Sequence, residues 1–503
     1  MQQKNYDSSF CGSVPLHQIN LIQPYGILIV VEPESYRIVQ VSENIKEVLD
    51  LSPAEVVNTL LEQYLSAKQL VELKDKLADR LKFKVPFTLS FSGKAFLVVV
   101  HEQENGLIME LEAQSQATPD NSFITIYQQL KYAMEAINDA PDVKGACQVA
   151  ARQLKELSGY DKVMVYQFDK DWNGTVIAEE LEPGMESYIG LTFPASDIPR
   201  QARAMYLKNP YRLIPNRDYV PVSLYPVINP INNAFTDLSG CNLRSVPAVH
   251  LEYMKNMQIM TSMSCRILKD GQLWGLFSCH HRTPYFLPYE GRALFGLLSD
   301  IIAARIVSLH YKGNTDVYTR LHDIHARLVE QVYNGNNLLK GLLEGKTNVL
   351  HLLGATGAVM VSDRQMETVG KVPDRYALQD LLLWLQSSGE TGISQVQSLA
   401  AIYEPAHAYA DIASGLLIIP VQPQKNELLL LFRPEVVQEV TWGGNPDDAI
   451  RFEKDNIQYH PRNSFSIWQQ KVQYTALPWE ETEMIMAGHL RNFILEYIIK
   501  GLN

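Results

Sequence analysis

Short apolar runs of strand length alternate along this chain with longer stretches of helical period, and the order of the two kinds divides it into blocks. Runs at residues 26–31 and 37–41 flank the turn-like Glu32-Pro33-Glu34-Ser35 and predict a hairpin. Residues 44–51 and 53–82 read as helical, strands return at 87–91 and 95–101, and the block to about residue 113 is expected to be a small α+β domain. A polar, Pro-bearing linker covers 113–121. Amphipathic helices over 124–140 and 143–157 open the second block. Strands follow at 162–168 and 174–180, then a stretch dense in Pro and Asn (193–240), then strands at 262–268 and 275–281. An irregular segment of that length inside a compact domain is usually functional, so a ligand is sought there.

Residues 288–343 are mainly helical, with apolar residues at Leu294, Leu298, Ile301 and Ile302, then at Val317, Leu321, Ile324, Leu328 and Val332. The second set steps by four, three, four and four, close to a coiled-coil seam, with Gly313-Asn314 as an interruption before it. The alternative is that this face packs on its own domain. A third block, 345–478, mixes strands such as 357–362 and 428–433 with helices, and a last helix spans 480–500 with Leu490, Ile494 and Tyr497 on one stripe.

The length of 503 residues fits about three domains. Composition is globular, 46% hydrophobic and 20% charged. The net charge of −12 argues against a general nucleic-acid or anionic-membrane binder. Cys11, Cys147, Cys241, Cys265 and Cys279 form no CxxC pair, which excludes a disulfide framework or zinc ribbon and fits a reducing compartment in which one cysteine carries special chemistry. No basic and apolar leader opens the chain and no apolar run approaches about 18 residues, so a soluble cytoplasmic protein is expected.

Candidate chemistry concentrates in the second block. Prolines bracket Ala195-Ser196-Asp197-Ile198 within residues 193–199; they disfavour a helix there and leave backbone carbonyls to face a ligand. Arg212 and Arg244, with hydroxyls at Tyr206, Ser262 and Ser264, suit carboxylates through the guanidinium fork. Tyr166, Tyr188, Phe193 and Tyr253 offer flat apolar walls for a planar ligand, whereas His280 on an apolar strand would, by itself, read as a core histidine.

One family accounts for these residues together. The chain resembles the photosensory core of a phytochrome, more closely a biliverdin-binding bacteriophytochrome. The resemblance rests on Ile22-Gln23-Pro24-Tyr25-Gly26, the 193–199 motif, Leu243-Arg244-Ser245 with His250, residues 252–257, Leu273-Trp274-Gly275-Leu276 with Cys279-His280-His281, Trp442-Gly443-Gly444 and Pro461-Arg462-Asn463-Ser464-Phe465. It implies an α+β architecture of three sequential domains, each an antiparallel sheet with flanking helices, joined by a long helical spine. The implied layout is PAS over 1–113, GAF over 124–310, PHY over 315–478 with a tongue at about 436–475, and a linker helix over 480–503.

The resemblance also implies roles. Asp197 would offer its carbonyl to the inner pyrroles, flanked by Ile198 and Pro199. His250 would lie against the inner rings, and His280 would bind the ring D carbonyl. Arg212, Arg244, Tyr206, Ser262 and Ser264 would hold the propionates, and Met164, Tyr166, Tyr188, Phe193 and Tyr253 would form the ring D pocket. Plant and cyanobacterial members attach the bilin to a GAF cysteine just before the histidine that matches His250, and this chain has Val249 there. Bacteriophytochromes use a cysteine near the N-terminus, and Cys11, twelve residues before Gln23, matches that pattern, so the resemblance implies Cys11 as the thioether to biliverdin. A segment near Ile22 would thread a lasso near residues 220–247. Arg462, with Trp442 and Ser464 beside it in the tongue, would pair Asp197.

The expected function is red/far-red sensing by isomerisation at C15=C16, in a homodimer that binds neither nucleic acid nor membrane and has no enzymatic turnover. The alternative is a GAF-type sensor of a diffusible small molecule. Tyr25, Pro247 and Gln258 depart from residues common in the family (His, Ser and Gly), so altered propionate contacts are expected.

Overall fold

The computed structural model describes residues 19–78, 86–103, 106–114, 123–362, 365–388, 391–425, 427–446, 450–452, 459–461 and 465–500. They form two compact units, one of residues up to Val307 with Thr441–Trp468, the other of Ser308–Val440 with the segment from Gln469 onward.

The first unit opens on an antiparallel sheet built from β1 (Leu21–Ile22), β2 (Gly26–Val31), β3 (Ile38–Ser42), β4 (Phe87–Phe91), β5 (Lys94–Gln103) and β6 (Gly106–Ala113). One face packs on its own small core of Ile29, Val41, Val98, Val100, Met109 and Leu111. The other face, carrying Leu28, Val30 and Ile108, is covered by Leu224, Leu238, Cys241 and Leu243 from far along the chain. Burial on both faces explains why β2 reads as a continuous apolar run. It also explains Gly26, where a Cβ would meet Leu243 Cδ2 at 2.6 Å and the Leu111 carbonyl at 2.7 Å.

The segment of β1 is held along both edges. Leu21 and Ile22 pair with β11 (Val222–Tyr225), which also pairs with β3. On the other side Gln23 N donates to the Leu243 carbonyl and Ser245 N to the Leu21 carbonyl.

A second sheet follows, of β7 (Lys162–Phe168), β8 (Gly174–Leu181), β9 (Thr192–Phe193), β10 (Tyr211–Ile214), β12 (Thr261–Lys269) and β13 (Gln272–His281), in the order β10-β12-β13-β7-β8-β9. Helices Phe123–Asp139 and Val143–Ser158 and the first turns of Tyr289–Gly335 cover one face, with Ala146, Ala150, Phe295, Leu298 and Ile302 in the core. Arg292, fully buried, forms a bidentate pair with Glu112 of β6. Helix Tyr289–Gly335 is long and apolar enough in composition to cross a membrane. Here Phe295, Leu298, Ile302 and Ile306 of that stretch are core residues of the second sheet's domain.

The second unit holds a five-stranded sheet in the order β15-β14-β18-β17-β16, from β14 (Gly357–Ser362), β15 (Gln365–Gly370), β16 (Ser394–Val396), β17 (Gly415–Gln422) and β18 (Glu427–Arg433). Leu321, Leu328 and Val332 are buried in this unit's own core with Leu342, Leu352, Met486 and Leu490. The heptad-like spacing thus reflects packing on the domain itself, and the coiled-coil seam is corrected accordingly. Gly313 does not interrupt the helix, since a glycine costs a helix interior only about 1 kcal/mol relative to alanine.

The expected helix over 53–82 is also corrected. Asn58 has φ of 69° and Leu60 bridges to Arg37, so the chain turns after Val56 and resumes as helix Ala67–Ala78, where the Ser66 backbone N–H bonds Gln69. The strand Gly106–Ala113, absent from the sequence reading, completes the first sheet.

Candidate functional site

The register of the second sheet places the candidate residues in two rows. Arg212 on β10 opposes Ser264 on β12, Ser264 opposes Ser278 on β13, and Ser278 opposes Met164 on β7. One step along, Ile214 opposes Ser262, Ser262 opposes His280, and His280 opposes Lys162. Residues directly opposite share a face. The intervening Leu213, Met263, Cys265, Phe277, Cys279 and Val163 point into the helix-covered core. One face is therefore an apolar core and the other a wall bearing polar groups.

The facing wall comes from the Pro-rich segment and two helices. Pro194 and Pro199 are extended (ψ 154° and 158°) on either side of the turn Ala195–Asp197, and Arg203 clamps this turn by donating to the carbonyls of Ala195 (3.2 Å) and Ile198 (2.7 Å). Helix Ala248–Asn256 carries His250 and Tyr253, three apart and so on one side, with rings stacked at 6.2 Å and 9°. Tyr253 Oη donates to Asp197 Oδ2 at 2.8 Å. Phe193 lies 6.1 Å from Tyr166 and 5.8 Å from Tyr188, closing an aromatic end.

Between these walls is one cavity. It is lined by Met164, Tyr166, Tyr188, Phe193, Asp197, Ile198, Pro199, Tyr206, Arg212, Arg244, His250, Tyr253, Ser262, Ser264 and His280, which is every cavity residue the resemblance implies except Cys11. Cys11, Arg462 and Ser464 lie outside the described residues. Trp442 is not in the lining; it pairs in parallel with Thr192 of β9, while Phe465 sets its edge on Tyr253 at 5.2 Å. The close approach uses Gly443, where a Cβ would stand 2.7 Å from the Phe193 ring.

Burial dominates the electrostatics of the cavity. It pushes His250 down to about 4, helped by the Arg212 charge, and His280 down to about 3, helped by Lys162. Both imidazoles are neutral at pH 7. Burial also lowers the two arginines, and Arg212 further lowers Arg244. The guanidinium of Arg212 reaches only the carbonyls of Asn242 (3.0 Å) and Arg244, and its buried Nε has no hydrogen-bond partner among the described residues. A buried cation in that condition fits an anionic ligand.

The folded pKa values of both histidines lie below the unfolded value of about 6.5, so the unfolded chain binds more protons as pH falls through this range. Apoprotein stability is therefore expected to drop between about pH 6.5 and pH 4, by about 1.4 kcal/mol per pH unit for each histidine. Urea titrations across this range on the parent and on His250→Gln/His280→Gln test it, and equal slopes would refute it.

The sequence reading missed Lys162, Ser278 and Met257. Ser278 and Met257 line the cavity, and strand alternation with His280 would have found Ser278. Lys162 had no such signal. Its ammonium is buried, ion-paired to Glu179 at 3.1 Å and 3.4 Å over the Tyr188 ring, and Glu179 in turn accepts from Tyr188 N–H at 3.0 Å. Lys162→Met is expected to raise the His280 pKa, and Lys162→Arg to restore it. Imidazole titration by NMR reads the outcome, and an unmoved His280 would discount the coupling.

Family comparison identifies all three blocks. A PAS fold matches residues 11–114, a GAF domain 142–306 and the phytochrome region PHY 321–502. Cyanobacterial phytochrome B of Nostoc sp. is 36% identical over 98% of this chain and 66% of its own length. The crystal structure of a bacteriophytochrome from the photosynthetic bacterium R. palustris superposes with a TM-score of 0.88 at 34% identity, covering 98% of this chain and 99% of that one. The chain belongs to the phytochrome family. A bacteriophytochrome of Xanthomonas campestris is 29% identical over 97% of this chain and 78% of its own. The photosensory core module of a Stigmatella aurantiaca phytochrome superposes at 0.86 with 32% identity, over 98% of each chain. The chain thus has the PAS, GAF and PHY domains of a phytochrome core in order, and spans 66% of the length of the cyanobacterial phytochromes it matches.

Two departures from the phytochrome pattern acquire a structural setting. Gln258 sits at φ 58°, in the left-handed region where glycine is unstrained. Pro247 lines the cavity and starts helix Ala248–Asn256, its carbonyl accepting from His250 N.

Proposed function

We propose that this chain is the light-sensing part of a cytoplasmic red/far-red photoreceptor, holding biliverdin in the cavity of its GAF domain. The observation that carries the reading is the pairing of buried, carboxylate-seeking arginines at one end of the cavity with an aromatic pocket and a neutral histidine at the other. Arg212 and Arg244, with Tyr206, Ser262 and Ser264, take the two propionates; Asp197 and His250 face the inner rings; His280 donates an imidazole N–H to the ring D carbonyl beside Tyr166, Tyr188 and Phe193. The bilin, when bound, supplies light absorption and isomerisation at C15=C16.

The protein's part is to orient the chromophore and exclude water, and to move when ring D contacts change. Tyr253 links Asp197 to the tongue through Phe465, so a rearranged Asp197 alters what the tongue packs on. Two packings of the tongue that differ in this contact form a switch, and helix Tyr289–Gly335 passes its bias to an output domain. Exposed Tyr132 and Leu297 on the GAF helices favour a homodimer formed through them. Light is the input, and the chain itself performs no turnover.

Apoprotein mixed with biliverdin should develop a red-absorbing band that red light converts to a far-red-absorbing one. No photoconversion would overturn the proposal. In Cys11→Ser the denatured protein should lose covalent bilin fluorescence with zinc, and its retention would move the attachment elsewhere.

A further inference from the structure

Outside the cavity, three donor side chains from separate segments meet at the face of the first sheet that the later chain covers. His101 on β5 and Glu110 on β6 are diagonal neighbours across the strand pair, since His101 opposes Ile108, and Cys241 descends from the covering segment. Their exposures are 8%, 2% and 1%. Cys241 Sγ is 3.4 Å from His101 Nε2, and Glu110 Oε1 is 3.9 Å from the same nitrogen. All three donor atoms lie within 4.8 Å of one another.

We propose that His101, Glu110 and Cys241 form a structural site for a divalent transition metal, zinc by donor chemistry. Donors bonded at about 2.0–2.3 Å in a tetrahedral site stand about 3.3–3.6 Å apart. One observed pair falls in that range, and the carboxylate–imidazole pair, too long for a hydrogen bond, needs a shift of only a few tenths of an ångström. Imidazole, thiolate and carboxylate are the nitrogen, sulfur and oxygen donors zinc prefers. The charges balance as well: the thiol loses its proton to solvent on binding, and thiolate plus carboxylate cancel the dication, which removes the penalty of burying it. The carboxylate is already aimed, because its other oxygen accepts from Leu243 N at 2.6 Å, the outer-shell support that orients a ligating group. Three protein donors leave the fourth position to water.

Such a metal would pin the segment containing Cys241 and Leu243 to the first sheet, where that same segment grips Leu21–Gln23. It acts on the fold, independently of any chromophore.

The test uses the full apoprotein made in zinc-supplemented medium and desalted. It should retain about one zinc per chain, falling below about a tenth in Cys241→Ser and His101→Gln. The folded parent provides the check in case the variants fail to fold. Cobalt(II) added to chelator-stripped parent should give a thiolate-to-cobalt charge-transfer band, and zinc should raise the thermal midpoint over the stripped protein. Parent that holds under about a tenth of an equivalent, with neither the band nor a midpoint shift, would overturn the site.

Discussion

Arg292→Met is expected to cost the apoprotein about 3–5 kcal/mol, because it strands the Glu112 carboxylate inside the protein. The guanidinium of Arg292 is fully buried and meets both oxygens of Glu112, Nη1 to Oε1 at 2.9 Å. Burial disfavours its charge, but Tyr211 and Glu112 outweigh that and raise its pKa overall. The pair joins β6 of the first sheet to helix Tyr289–Gly335 of the second, so its loss acts on the seam between two domains of one compact unit. Removing both charges is a different experiment. A buried ion pair replaced by apolar groups of similar volume is often neutral or stabilising, so Glu112→Leu with Arg292→Met should recover most of the loss. Urea midpoints on the two variants decide it. A single variant within about 1 kcal/mol of the parent would mean that water reaches the carboxylate.

The same pair shows where sequence reading stops. Strands with a clean apolar signal, such as 26–31, 162–168 and 357–362, are strands in the structure at those positions. Glu110 and Glu112 interrupt the apolar pattern of Gly106–Ala113 and hide it from the sequence reading, and among the partners that hold them buried are Leu243 N–H and Arg292. Those partners are 133 and 180 residues away. The seam from Val317 to Val332 shows the converse: its period was legible, but a period states that a face is covered and not by what. The site was legible residue by residue through motifs. Its organisation in rows Arg212-Ser264-Ser278-Met164 and Ser262-His280-Lys162 needed strand register, which is why Lys162 escaped.

Arg212→Met should separate what this arginine does for the fold from what it does for the ligand. In the apoprotein, removing a buried guanidinium relieves a desolvation cost while leaving the carbonyls of Asn242 and Arg244 short of a donor. Asn242 retains the Tyr25 hydroxyl at 3.1 Å, so the two effects nearly offset, and unfolding free energy should shift by less than about 1 kcal/mol. Toward biliverdin nothing offsets the loss. One or two charge-assisted hydrogen bonds to a propionate are worth about 1.5–3 kcal/mol, which is about 10- to 150-fold in Kd. Measuring this in a Cys11→Ser background keeps the equilibrium free of the covalent step. A second readout is spectroscopic and needs no ligand: with the Arg212 charge gone, the His250 pKa should rise from about 4, since that charge is the lesser of the two causes that depress it. Unchanged affinity with a large loss of stability would make Arg212 a purely structural cation. Weakened binding with intact stability and a raised His250 pKa would place it on the chromophore's carboxylate, where the arginine, with no ion-pair partner among the described residues, supplies charge to the ligand.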